Sequence, residues 1–152
     1  MPQPTTLVTR YGSPQGLGAL GGSKMTRVLI AEDEVMIALS FADLLEAEGY
    51  EVTIASDGAK ALAQARRMGD TLDILVTDLN MPGMSGEDLI HALRIEHPEL
   101  PVVVITGSAP FGGLEELRRL GGGHGPLALL HKPIVYSELL DALRCAIAHA
   151  PP

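Results

Sequence analysis

Ile74-Leu75-Val76-Thr77 is a short, nearly continuous apolar run that is rich in β-branched residues. Two further runs share its character, VLIA at residues 28–31 and VVVI at residues 102–105. Strands that are buried on both faces of a parallel sheet have this composition. EVTIA at residues 51–55 alternates more and suits an edge strand, and LALL at residues 127–130 is a fifth candidate. The sequence therefore predicts five strands, three of them central.

Segments with helical periodicity separate these strands. Apolar residues recur at i, i+4, i+7 and i+8 over residues 37–45, and similar stripes lie within residues 89–93, 114–120 and 139–147. This spacing is that of one face of an amphipathic helix. Ser85, with an acidic residue three positions later, is typical of a helix start. Strands that alternate with helices predict a three-layer α/β fold, with helices on both sides of a parallel five-stranded sheet.

Composition excludes several classes of protein. The chain has 152 residues, of which 46% are hydrophobic and 20% are charged, as expected for one folded domain. A net charge of −8 disfavours direct nucleic acid binding, because phosphates repel an acidic surface. No apolar run approaches the roughly 20 residues of a membrane span. Cys145 is the single cysteine, which fits a cytoplasmic location.

The first 25 residues differ from the rest of the chain. They contain five glycines and three prolines, a composition typical of disordered segments. We therefore expect a disordered tail at residues 1–25, one folded domain at residues 26–149 and a short C-terminal tail at residues 150–152. With one domain of this length, we expect no separate output domain.

Polar side chains occur repeatedly where the predicted strands end. The carboxyl ends of parallel strands share one edge of a sheet, where open α/β folds bind ligands. If the first and third strands are neighbours, Asp33 and Asp78 come close together. Two carboxylates about 4 Å apart repel by roughly 4 kcal/mol at an effective dielectric of about 20. One of them could stay protonated, or a cation such as Mg²⁺ could lie between them. The residues at these strand ends are Glu32, Asp33, Glu34, Asp78, Thr106 and Lys132.

Four segments resemble the motifs of response-regulator receiver domains. They are LIAEDE at residues 29–34, TDLNMPGMSG at residues 77–86, ITG at residues 105–107 and HKP at residues 131–133. The resemblance covers about residues 26–149. It implies a flavodoxin-like (βα)5 fold with strand order 2-1-3-4-5, and a cis peptide bond between Lys132 and Pro133.

The resemblance also implies a phosphorylation switch in a two-component phosphorelay. Asp78 would accept a phosphoryl group from a phosphohistidine on a histidine kinase or a histidine phosphotransfer protein, and would become a 4-aspartylphosphate. Thr106 and Lys132 would contact the phosphoryl oxygens. The Mg²⁺ ligands would be Glu32 through a water, Asp33, Asp78 and the backbone carbonyl of Asn80.

One position departs from the receiver pattern. Most receivers carry Tyr or Phe three residues before the lysine, and Leu129 stands there in this chain. In those receivers the ring moves inward when the threonine turns toward the phosphoryl group. Leu129 has no ring, so this step of the usual output mechanism is missing.

As a receiver, the protein would signal by conformational change to an unknown downstream protein, with no attached output domain. It would not be an enzyme beyond self-phosphorylation and slow self-dephosphorylation. Two alternatives stay open. One is a Mg²⁺-dependent phosphatase with an aspartyl nucleophile, which Asn80 disfavours because that class needs an acid two residues after the nucleophile. The other is a receiver-like interaction module without phosphorylation.

Overall fold

Five strands and five helices alternate along the chain in the computed structural model, which describes residues 25–108, 112–122 and 124–150. The strands are β1 (Arg27–Ala31), β2 (Glu51–Ala55), β3 (Ile74–Asp78), β4 (Val102–Thr106) and β5 (Leu127–His131). The helices are α1 (Val35–Ala47), α2 (Gly58–Met68), α3 (Gly86–Glu96), α4 (Gly113–Gly121) and α5 (Tyr136–Ala148), and a 3-10 turn (Gly69–Thr71) follows α2. All five predicted strands are present.

The strands form one parallel sheet in the order β2-β1-β3-β4-β5. This confirms the predicted order 2-1-3-4-5 and the edge position of β2. Each strand is joined to the next through a helix, because the chain must return to the same end of the sheet before the next parallel strand begins. All five strands therefore end along one edge.

The core has two halves, one on each face of the sheet. Alternate residues of the central strands, such as Leu75 and Val104, face α2, α3 and α4. Their neighbours, such as Val76 and Ile105, face α1 and α5. Every residue of β3 and β4 is consequently buried, which explains why these runs are continuous rather than alternating.

The helix ends follow local sequence rules. The Ser85 side chain accepts a hydrogen bond from the Asp88 backbone N–H at 3.1 Å and caps α3, as predicted. Asp57 caps α2 in the same way through the Lys60 N–H. Gly49, with a φ of 94°, follows the end of α1 and turns the chain toward β2.

The predicted N-terminal tail lies outside the described residues except for Met25, and so do residues 151 and 152. Within the described part of the chain, no helix has the length and apolar character needed to cross a membrane.

Arg94 on α3 is buried, with 3% of its surface exposed, and its guanidinium group binds backbone carbonyls. Nη1 donates to Gly122 O at 3.0 Å, and Nη2 lies within 2.9–3.0 Å of the carbonyl oxygens of Leu100, Gly125 and Pro126. The residue therefore joins α3 to the segments that enter β4 and β5. A buried charge is tolerated here because several carbonyl dipoles surround it.

We expect Arg94→Met to lower the free energy of unfolding by about 2–4 kcal/mol, because buried carbonyls lose their donors. Arg66→Met is the matched control. The Arg66 side chain is mostly exposed and pairs with Glu96, so its loss should cost at most about 1 kcal/mol. Urea denaturation of both variants measures the difference, and equal losses would contradict the structural role of Arg94.

Candidate functional site

The carboxyl edge of the sheet gathers all of the polar residues predicted for the site. Asp78 and Thr106 are the last residues of β3 and β4. The sequence pattern places Asp78 just after its strand, but the residue still pairs with Ile105 in the ladder and is part of β3. The remaining site residues lie on the loops that follow β1, β3 and β5, and they are Glu32, Asp33, Glu34, Asn80 and Lys132.

Lys132 is the centre of the site. Its Nζ lies 2.9 Å from Asp78 Oδ2, 3.0 Å from Glu32 Oε1 and 3.4 Å from Glu34 Oε1. The Lys132 backbone N–H donates to Thr106 O at 2.8 Å, which continues the pairing of β4 and β5 by one residue. The peptide bond from Lys132 to Pro133 is cis, as the resemblance implied. One ammonium group therefore contacts carboxylates from two different strand ends.

Burial and charge act in opposite directions on Lys132 and Glu32. Burial lowers the pKa of Lys132, but its interactions with Asp78 and Glu32 raise it more, so the net pKa lies above the ordinary value. The lysine stays protonated at neutral pH. Burial raises the pKa of Glu32, and the Glu34 N–H and the Lys132 ammonium offset only part of this effect.

Three carboxylates are placed to bind one cation. Glu32, Asp33 and Asp78 each offer an oxygen, and these oxygens lie within 4.8 Å of one another. Glu32 Oε1 is buried, and among the described residues its polar contact is the Lys132 ammonium at 3.0 Å, which leaves capacity for a further partner. An incompletely satisfied, oxygen-only set of ligands fits a hard divalent ion such as Mg²⁺. The residues present therefore fit the predicted metal.

Asn80 and Thr106 complete the pocket beside Asp78. The Asn80 backbone N–H donates to Asp78 Oδ1 at 3.1 Å, which places the main chain of Asn80 next to the carboxylate. Asn80 Nδ2 donates to Thr106 Oγ1 at 3.3 Å, and the Ser108 N–H donates to the same oxygen at 3.1 Å. No sequence pattern indicates this contact between Asn80 and Thr106, since the two residues are 26 positions apart.

The loop between β3 and α3 needs glycine where α3 begins. A Cβ atom on Gly86 would lie 2.1 Å from Asp78 O and 2.8 Å from Leu79 Cα, both of them backbone atoms. The Gly86 N–H also donates to Leu79 O at 2.9 Å. Because α3 starts directly against the end of β3, a larger residue at position 86 would displace the backbone of Asp78 itself.

The remaining sequence predictions concern residues outside the pocket. Leu129 is partly buried and packs against the half of the core that faces α4. Cys145 is exposed, and its Sγ lies 3.7 Å from His149 Nδ1. Among the residues that the structure describes, Glu32, Asp33 and Asp78 form the one group of three or more potential metal ligands.

Comparisons with known proteins agree with this geometry. The family model described as the response regulator receiver domain matches residues 28–144. A response regulator receiver protein of Anaeromyxobacter sp. strain Fw109-5 is 40% identical over 117 residues, which cover 77% of this chain and 47% of the relative. A probable transcriptional regulatory protein, TcrX of Mycobacterium tuberculosis, is 43% identical over 79 residues, or 52% of this chain and 33% of the relative. The chain thus spans half or less of these curated relatives.

Solved structures show the same similarity. A response regulator receiver domain protein from Clostridium thermocellum superposes with a TM-score of 0.74 at 27% identity, covering 82% of this chain and 95% of that one. The chemotaxis protein CheY4 of Vibrio cholerae gives a TM-score of 0.72 at 29% identity, covering 81% and 99%. On the family match and the fold together, the chain belongs to the family of response regulator receiver domains.

Proposed function

We propose that Asp78 accepts a phosphoryl group from a phosphohistidine and thereby switches this protein between two signalling states. Receiver domains are phosphoacceptor signalling domains that take phosphate from histidine kinases. The observation that carries the assignment to Asp78 is its position. The residue is 4% exposed and ends a central strand, and its carboxylate contacts both the Lys132 ammonium and the Asn80 N–H.

The transfer needs little covalent work from the protein. A carboxylate oxygen of Asp78 attacks phosphorus, the P–N bond to the partner's imidazole breaks, and the imidazole leaves with the bonding electron pair. Catalysis then consists of positioning and of balancing negative charge. Lys132 Nζ already lies 2.9 Å from the nucleophile, so it is placed to contact a phosphoryl oxygen. The Thr106 hydroxyl supplies a second contact.

Glu32, Asp33, Asp78 and the backbone carbonyl of Asn80 would hold Mg²⁺ beside the nucleophile, with Glu32 acting through a water. When bound, the ion would balance the charge of these carboxylates and of the incoming phosphoryl oxygens. The cluster of carboxylate oxygens and the incompletely satisfied Glu32 Oε1 support this assignment.

The other expectations from the sequence belong to the same proposal. We assign the receiver domain to residues 26–149, slightly beyond the matched residues 28–144. The side chain of Asn80 is neither an acid nor a base and cannot activate a water, so the phosphoaspartate should hydrolyse slowly. The alternative of a phosphatase therefore has less support. The signal would pass by conformational change to a downstream protein. A cytoplasmic location stays a prediction.

An exposed apolar surface borders the site, and we propose it as the docking face for the partner that carries the phosphohistidine. A groove of about 510 Å³ has Lys132, Met36 and Tyr136 among its lining residues. Met36 and Tyr136 are large exposed apolar side chains of this lining, and the residues next to the lining in sequence include three more, Val35, Leu39 and Val135. A partner's histidine must reach Asp78, so an apolar face that shares Lys132 with the site is well placed for contact.

Asp78→Asn should abolish acyl phosphate formation, because an amide lacks the nucleophilic carboxylate oxygen. Intact mass spectrometry after incubation with Mg²⁺ and acetyl phosphate measures the added phosphoryl group. Asp43→Asn, on the exposed side of α1, is the control and should be phosphorylated like wild type. A phosphoryl group retained in Asp78→Asn would overturn the assignment.

Asp33→Asn should weaken Mg²⁺ binding about tenfold, the equivalent of about 1.4 kcal/mol, because a neutral amide replaces a charged ligand. Isothermal titration calorimetry with MgCl₂ measures the affinity. Asp43→Asn again serves as the control, since it removes the same charge away from the site. Equal affinities in Asp33→Asn and wild type would exclude Asp33 as a ligand.

Met36→Asp should reduce phosphotransfer from a phosphorylated histidine kinase about tenfold or more, because a charge would be desolvated in the docking face. The kinase used in this test is the member of a panel of histidine kinases that phosphorylates the wild-type protein most rapidly. Phosphorylation by acetyl phosphate, which needs no docking, should stay unchanged. Ile95→Asp is the matched control, because Ile95 is 70% exposed and Met36 is 74% exposed. Equal effects of both substitutions on kinase transfer would contradict the docking face.

A further inference from the structure

The Asn80 side chain contacts Thr106 across the mouth of the pocket, from the loop after β3 to the end of β4. Asn80 Nδ2 donates to Thr106 Oγ1 at 3.3 Å. We propose that Asn80 is a positioning residue, whose carboxamide holds the Thr106 hydroxyl where the phosphoryl group arrives. This inference rests on the proposed function of Asp78.

The hydroxyl of Thr106 uses its full hydrogen-bonding capacity. Oγ1 accepts from Asn80 Nδ2 and from the Ser108 N–H, and it lies 3.2 Å from Ser108 O, to which it donates. A hydroxyl has one proton and two acceptor positions. To donate to a phosphoryl oxygen, Thr106 must release Ser108 O.

A single residue, Asn80, hydrogen-bonds to both the Thr106 hydroxyl and the Asp78 carboxylate. Its backbone N–H donates to Asp78 Oδ1 at 3.1 Å, and its side chain donates to Thr106. The position of Oγ1 relative to the Asp78 carboxylate therefore depends on the short backbone and side chain of Asn80. Preorganisation of this kind lowers the cost of reaching the reactive geometry.

Neighbouring side chains do not share this contact. Within residues 25–108, 112–122 and 124–150, Asn80 is the one side chain that hydrogen-bonds to the Thr106 hydroxyl. Leu129 has no polar side-chain atom, and it packs against the core. His131, which is opposite Thr106 in the ladder, is exposed. Asn80 thus supplies the side-chain contact that holds the Thr106 hydroxyl, beside the two hydrogen bonds to the Ser108 backbone.

A double-mutant cycle on acyl phosphate formation tests the proposal. The proteins are wild type, Asn80→Ala, Thr106→Val and the double variant, each with acetyl phosphate and saturating Mg²⁺. Thr106→Val removes the hydroxyl and keeps the shape of the buried side chain, and Thr106→Ala serves as a second hydroxyl-free background. Asn80 is exposed, so its truncation leaves no core cavity.

We expect Asn80→Ala to slow acyl phosphate formation about fivefold, the equivalent of about 1 kcal/mol. In either hydroxyl-free background, the same substitution should have no further effect, because Asn80 acts through the hydroxyl. Mg²⁺ affinity should be unchanged, since the proposed ligand is the Asn80 backbone carbonyl.

Two other results would overturn the inference at different levels. If Asp78 is phosphorylated in wild type but Asn80→Ala slows the reaction equally with and without the hydroxyl, only the positioning role is wrong. If wild type forms no acyl phosphate, or if Asp78→Asn retains it, the proposed function is wrong and this inference falls with it.

Discussion

The carboxyl edge of the sheet holds more negative charge than its own cation balances. Glu32, Glu34 and Asp78 contact the single ammonium group of Lys132, and Asp33 adds a fourth carboxylate. Each close carboxylate pair costs roughly 4 kcal/mol at about 4 Å and an effective dielectric of about 20. The remaining negative charge favours any divalent cation at this edge. The same charge balance links metal binding to the chemistry that we propose for Asp78.

The parallel sheet is what makes this crowding possible. Because β1, β3, β4 and β5 all end at one edge, loops that are distant in sequence deliver their polar residues to one place. The central strands β3 and β4 behind the pocket are fully buried, so their apolar residues offset the local cost of the charges. Gly86 lets α3 begin directly against Asp78 O, so the start of the helix supports the backbone of the proposed nucleophile.

The sequence predicts the strands and the convergence of the site well, but it misses features that depend on small residues or on loop conformation. The helix α2 has no stripe of large apolar residues, because its buried face consists of Gly58, Ala61 and Ala65. Arg94 is of a residue type that is usually exposed, and its burial depends on carbonyls from two loops. The bond between Asn80 and Thr106 follows from the loop after β3, whose conformation has no periodic pattern.

Burial is uneven across the sheet, and under the proposed function this determines where a signal from Asp78 would spread. Every residue of β3 and β4 is buried, whereas β5 is mostly half-buried. Elements with fewer buried apolar contacts rearrange at lower cost. Lys132 directly follows β5 and contacts Asp78, so the proposed phosphoryl group on Asp78 would act on this less buried strand through the lysine. Because Leu129 replaces the usual aromatic residue on β5, the proposed response there would depend on backbone and charge rather than on a ring that changes position.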